Sequence, residues 1–295
     1  MGNTQDSSSV PDLSPLASSP EPVFVPMFDA YAPPQIAVRV REVGVAKATA
    51  PVATTLGLAV LAGAFIALGA LFYTVTITGG TGQAPFGLVR LVGGIAFSLG
   101  LVLVVVGGAE LFTGNNLIAM AWAAGRITTR QVLRNWFWVY LGNLLGALGT
   151  AALALLAGVH WLGDGTVGET AVGIARAKVS LDPMAAVARG VLCNVLVCLA
   201  VWLCMAARGV ADKILAILFP ITAFVACGFE HSIANMYFLP IGIALTAGTA
   251  APISLAGALG NLAFVTAGNI LGGTVLVALV YWFIYLRGER QAASG

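Results

Sequence analysis

Charge is what this sequence has least of. Lys, Arg, Asp and Glu make up 9% of its 295 residues and sum to a formal +2, against 59% hydrophobic residues and a mean hydropathy of +0.95. A soluble domain carries about 25% charged residues, so the composition excludes a water-soluble globule and implies several membrane-buried segments. The basic residues form no dense patch, which leaves no footprint for nucleic acid. Cysteine is also sparse. Cys193, Cys198, Cys204 and Cys227 all fall in apolar runs, where a thiol packs as a small hydrophobe, so neither disulfides nor a metal centre is expected. No cofactor is expected either. The start of the chain lacks a basic stretch followed by a short apolar one, so no cleaved signal peptide is read there. Residues 1–27 are rich in Ser and Pro and read as a flexible tail.

What the sequence has in quantity is long apolar runs. Residues 28–49 mix Ile36, Val38, Val40, Val43 and Val45 with Arg39, Arg41, Glu42 and Lys47, the pattern of an amphipathic helix lying on a membrane surface. Apolar segments follow at 50–77, 88–124, 135–158, 185–207, 214–245 and 256–286, each long enough for the roughly 20 residues a crossing requires. The expected fold is therefore all-α, with six transmembrane helices in a channel domain over 50–287 and a short tail at 288–295. The second and fifth segments overshoot one straight crossing, because about 30 residues at about 1.5 Å each exceed a hydrocarbon core of about 30 Å. Both carry glycine and polar residues midway, and both are expected to be broken helices. With both termini in the cytoplasm, the inner side holds Arg39, Arg41, Lys47, Arg126, Arg130, Arg134, Arg208, Lys213, Arg287 and Arg290, and the outer side Arg90, Arg176, Lys178 and Arg189. That excess inside fixes the expected orientation in a cell's inner, or plasma, membrane.

The second and fifth segments repeat one another. Gly108-Ala109-Glu110-Leu111-Phe112-Thr113-Gly114-Asn115 and Gly228-Phe229-Glu230-His231-Ser232-Ile233-Ala234-Asn235 share Gly, Glu and Asn at the same offsets. Gly142-Asn143-Leu144-Leu145-Gly146 in the third segment is echoed by Gly268-Asn269-Ile270-Leu271-Gly272 in the sixth. Two matches in register indicate a three-plus-three duplication, about 50–158 and 185–286, and an odd number of crossings per copy inverts the second relative to the first. Inverted repeats with interrupted helices place a permeation site near the midplane, and irregular backbone at that depth is tolerated where it lines a cavity.

An ionisable residue at membrane depth marks a transport path by default, which singles out Glu110, Glu230 and His231. The expectation for Glu110 and Glu230, with Asn115 and Asn235, is pore support, each carboxylate capping backbone N–H groups freed at its break, with a proton relay along the pore as the rival reading of the carboxylates. His231 has no twin, since the matching position is Leu111. It is expected to work in the pore, with Thr113 as a hydrogen-bond partner and Asn194 within reach. Lys178 falls in the outer connection, where it reads either as a solvated loop charge or as the rim of an anion funnel.

These motifs resemble the formate/nitrite transporter family of pentameric anion channels. The resemblance is carried by residues 105–114, by Gly190-Val191-Leu192-Cys193-Asn194-Val195-Leu196-Val197-Cys198-Leu199-Ala200 and by residues 228–236, and it covers nearly everything from 28 to 287. It implies an aquaporin-like protomer with its own pore in a homopentamer. It further implies that Leu101 and Phe224 are hydrophobic constrictions around a chamber containing His231, that Thr113 lies on the interrupting loop, that Asn194 bonds the histidine and that Lys178 draws anions in. The expected function is passage of small weak-acid anions, with formate first, then nitrite, then hydrosulfide or lactate, and with a proton or hydrogen bond supplied at His231. A water- or glycerol-type pore would carry Asn-Pro-Ala at both breaks, whereas Asn115 precedes Asn116-Leu117 and Asn235 precedes Met236-Tyr237. An intramembrane hydrolase is disfavoured because no Gly-x-Ser-x-Gly occurs, so no catalytic residue is assigned and the protein is read as a non-enzyme.

Overall fold

The computed structural model describes residues 30–80 and 82–288. The tail read at 1–27, and all but the first residue of the one at 288–295, lie outside them. Every regular element among the described residues is helical. Helix α1 (Pro33–Thr49) starts on two prolines, whose missing N–H groups cost nothing at a helix start. It buries Ile36, Val40, Gly44 and Ala48, spaced by four so that they form one stripe.

After α1 come α2 (Val52–Ile77) and α3 (Phe86–Gly107), then a 3-10 turn (Gly114–Ile118) running into α4 (Ala119–Ala123), and α5 (Thr129–Leu156). The second half is α6 (Thr166–Val179), α7 (Pro183–Ala206), α8 (Val210–Ala226), α9 (Ser232–Thr246) and α10 (Leu255–Ile270), which continues through a π-helical stretch (Leu271–Leu279) into α11 (Val280–Tyr285). Among the described residues five stretches are long and apolar enough to cross a membrane: α2, α3, α5, α7 and the continuous run Leu255–Tyr285. The apolar run 214–245 is divided between α8 and the shorter apolar α9. The run 88–124 is likewise divided, α3 ending at Gly107 and the helical turns resuming at Gly114.

Within lipid there is no hydrophobic gain from pairing helices, so close packing of small residues does that work. A methyl group added at Gly146 would overlap the carbonyl oxygen of Val60, and one at Gly63 that of Asn143, so α2 and α5 meet backbone to backbone. In the second half Gly268 and Gly272 would overlap the carbonyls of Val187 and Val191, which brings α10 equally close to α7. These two contacts frame the two breaks.

The breaks themselves are built alike. Gly108 (φ 79°) and Gly228 (φ 71°) adopt the left-handed conformation that stops a helix. The next N–H turns back in each case, Ala109 to the Val104 carbonyl at 2.9 Å and Phe229 to the Phe224 carbonyl at 3.0 Å. The chain beyond is then irregular, and its backbone groups have to be satisfied from elsewhere.

Candidate functional site

Two buried asparagines supply most of what the breaks lack. Asn143 accepts the Phe112 N–H at 2.9 Å and donates to the carbonyls of Ala59 (2.8 Å) and Glu110 (2.9 Å). Asn269 accepts the Ser232 N–H at 2.9 Å and donates to the carbonyls of Gly190 (2.8 Å) and Glu230 (3.0 Å). Each amide uses both faces to hold irregular backbone in place. The break-holding caps are these amides and the imidazole of His231, which accepts the Ala234 N–H on Nδ1 at 3.1 Å at the start of α9.

The expectation that Glu110 and Glu230 cap backbone N–H groups is therefore corrected: both carboxylates face ammonium groups. Lys47 Nζ lies 2.9 Å from Glu110 Oε1, and Lys178 Nζ lies 3.0 Å from both oxygens of Glu230. Oε2 of Glu110 accepts from Asn115 (2.6 Å), and Oε2 of Glu230, shared with Lys178, accepts from Asn235 (2.7 Å). Asn115 donates onward to Asn135 (3.0 Å) and Asn235 to Asn261 (2.8 Å). Asn135 then donates to the Lys47 carbonyl at 3.1 Å and Asn261 to the Lys178 carbonyl at 2.9 Å. The two quartets share the same order of residues and differ at the lysine, since Lys47 also donates to Asn115 Oδ1 at 2.9 Å where Lys178 takes both oxygens of Glu230, and a paired charge held by amides sits beside each break. Buried charges persist only when paired and hydrogen-bonded in this way.

Lys47, Asn135 and Asn261 were not singled out from the sequence. Their signals were present: Asn135 and Asn143 are eight residues apart, as are Asn261 and Asn269, and Ala46-Lys47 is echoed by Ala177-Lys178. Lys178 is also not the solvated loop charge that the outer connection suggested. It lies on α6, and its side chain is only 12% exposed.

Two cavities of about 210 Å³ each reach the breaks. The one toward the C-terminal end of α3 is lined by Lys47, Leu101, Val104, Glu110, Leu111 and Asn115. The one toward its N-terminal end is lined by Arg90, Phe97, Lys178, Arg189, Phe224 and His231, with Glu230 and Asn235. Leu101 (1% exposed) and Phe224 (3%) thus belong to opposite cavities. Phe224 lies nearly parallel to the His231 ring at 5.9 Å, and Phe97 packs edge-on against Phe224 at 5.6 Å.

His231 Nε2 lies 3.0 Å from Thr113 Oγ1, and both residues are buried. A backbone N–H can only donate, so the Ala234 bond fixes Nδ1 as an acceptor and leaves the ring proton on Nε2. Nε2–H then donates to Thr113, whose own hydroxyl proton is free to point at a third group. Asn194 does not bond the histidine, contrary to expectation. It donates instead to the carbonyls of Thr113 (3.3 Å), in the first break, and of Asn269 (2.6 Å), on α10, tying that break to α10. The imidazole is already engaged on both nitrogens, by the Ala234 N–H and by Thr113, so the Asn194 amide turns to backbone carbonyls.

Arg90 is the remaining polar anchor. It donates to the carbonyls of Ala226 (3.0 Å) and Val225 (2.5 Å) and to the Tyr73 hydroxyl (3.2 Å). A guanidinium at a helix C-terminus satisfies the last carbonyls and complements the dipole, so Arg90 holds the end of α8 just past Phe224. Arg90→Gln is expected to lower stability by about 1–2 kcal/mol, read as a fall in the thermal midpoint of the detergent-solubilised protein, with Arg90→Lys falling between. An unchanged midpoint would show that the carbonyls find other donors. Among the described residues no three His, Cys, Asp or Glu side chains gather at a spacing that would hold a metal ion.

Comparison with known proteins agrees on one family. The family model described as Formate/nitrite transporter matches residues 34–283. The formate channel FocA of Escherichia coli (strain K12) is 45% identical over 275 residues, covering 88% of this chain and 96% of that protein. A probable formate transporter of Methanothermobacter thermautotrophicus is 44% identical over 257 residues, covering 82% and 92%. Among solved structures, one titled as a pentameric formate channel with formate bound superposes with a TM-score of 0.73 at 40% identity, over 80% of this chain and 98% of that one.

Proposed function

This chain belongs to the formate/nitrite transporter family, and from that premise we propose that it is a homopentameric channel passing formate, as a weak-acid anion, across the inner membrane. Relatives named as formate channels support the substrate, and a neighbour titled pentameric supports the assembly. In this reading α8 and α9 together make one crossing, and α3 with the helical turns from Gly114 makes another. The six crossings then form two inverted repeats with an aquaporin-like plan. The matched Lys–Glu–Asn–Asn quartets support the repeat and extend it to include α1 and α6, with α1 on the cytoplasmic membrane surface and both termini inside.

The observation that carries the mechanism is the Thr113–His231 pair, which joins one break to the other at 3.0 Å. An anion enters the outer cavity past Lys178, sheds water at Phe224 and meets the Thr113 hydroxyl, which donates to it while accepting from His231. It leaves past Leu101 through the Lys47 cavity. Asn194 holds Thr113 by its carbonyl, and the two quartets keep Glu110, Glu230, Asn115 and Asn235 paired, so the path presents donors without a free carboxylate. Handing over a proton from the ring would require a second proton on Nδ1 and loss of the Ala234 bond. Hydrogen bonding is therefore the role the geometry favours.

Proteoliposomes test the substrate. Labelled formate is expected to enter several-fold faster than labelled nitrite at equal gradients, and both faster than glycerol. Glycerol flux without formate flux would overturn the reading.

A further inference from the structure

The two cavities match in their quartets but not in their remaining charge. Around Lys47 the ammonium and Glu110 cancel at 2.9 Å, and no other charged side chain lines the wall. Around Lys178 the pair with Glu230 cancels in the same way, but Arg90 and Arg189 also line the wall. The donors of Arg90 are engaged on the end of α8 and on Tyr73. The Arg189 guanidinium has no ion-pair or hydrogen-bond partner among the described residues. Its backbone is fixed, since its carbonyl accepts the Glu230 N–H at 3.3 Å, so the side chain hangs from a rigid point at the break. The matching carbonyl in the other half, accepting from Glu110 at 3.2 Å, belongs to Leu58. The position that carries a guanidinium in one half thus carries an aliphatic chain in the other, and only the guanidinium lines its cavity.

We propose that Arg189 is the capture site of the outer cavity, docking a small monovalent carboxylate or similar planar oxyanion before it reaches Phe224 and Thr113. A guanidinium fork matches two coplanar oxygens and is less strongly hydrated than an ammonium. A cationic cleft with low-dielectric walls raises the local anion concentration. Lys178, bound on both carboxylate oxygens of Glu230, shapes the wall and leaves the net attraction to Arg189. The proposal rests on the anion-channel reading above.

The test is saturation of labelled formate entry in proteoliposomes of defined orientation, measured separately from each face at low salt. At zero voltage and equal pH a passive pore has the same limiting permeability in both directions, so the asymmetry is read in the half-saturating concentrations. Arg189→Gln is expected to raise the outer half-saturating concentration about five- to tenfold and to leave the inner one at the parental value. Arg189→Lys, which keeps the charge but loses the fork, is expected to raise it about two- to threefold. Added salt should bring the parent toward Arg189→Gln and barely move the variant. Equal outer values for parent and Arg189→Gln at low salt would overturn the proposal. Should that variant fail to assemble on gel filtration, a parent whose outer value ignores salt overturns it equally. A parent that passes no labelled formate fails the channel reading instead, so the two failures are distinguishable.

Discussion

Lys178→Met is expected to destabilise the folded protein by about 3–5 kcal/mol, the range for removing one partner of a buried pair. The side chains are 12% and 6% exposed, so the Glu230 carboxylate left behind keeps only its bond from Asn235 at 2.7 Å and meets little water. The double variant Lys178→Met/Glu230→Gln should recover most of the loss, because a neutral amide can still accept from Asn235 and no uncompensated charge remains. Lys47→Met should cost less, since the Lys47 side chain is 27% exposed and its loss admits solvent to Glu110. Thermal unfolding of the four proteins in one detergent checks the series. If the double variant proves no more stable than Lys178→Met, the loss comes from packing on α6 and the charge argument fails.

Those pairs also mark where sequence reading reached its limit. The Glu, Asn and Gly offsets of the two breaks are local patterns, and they were legible because a helix stop and an amide cap need fixed residue types a few positions apart. Lys47 and Lys178 stand 63 and 52 residues before their glutamates, on helices whose charge pattern reads equally well as a solvated face. Nothing along the chain says which basic residue folds back over which carboxylate. Asn194 shows the same limit from the other side. Its depth in an apolar helix correctly required a partner, but of the two carbonyls it found, that of Thr113 is open only because of the break and that of Asn269 lies on a helix distant in sequence. Apolar run lengths carried the helices well. They could not tell that the connection before α7 contains α6, because a 14-residue helix of mixed polarity leaves no run to count.

The pore chemistry yields the other large effect, and the cap at α9 lets it be isolated. His231→Leu loses two functions together, the acceptor for the Ala234 N–H and the donor to Thr113. His231→Asn keeps the first, since an asparagine oxygen at a helix N-cap accepts the same kind of bond, and loses the second. It is therefore expected to fold with near-parental stability while formate flux falls about ten- to a hundredfold, the worth of a buried hydrogen bond to a charged group. Thr113→Val, of similar shape and without the hydroxyl, should lose a comparable factor. If the ring and the hydroxyl act as one donor relay, the double variant should be little worse than either single one, because the interaction each removes is the same. Multiplying losses would mean that each touches the anion independently. Flux across about pH 5 to 8, where an ordinary imidazole titrates, separates the last alternative. A profile that flattens in His231→Asn but not in Thr113→Val would assign the ring a proton-donating step and displace the hydrogen-bond mechanism.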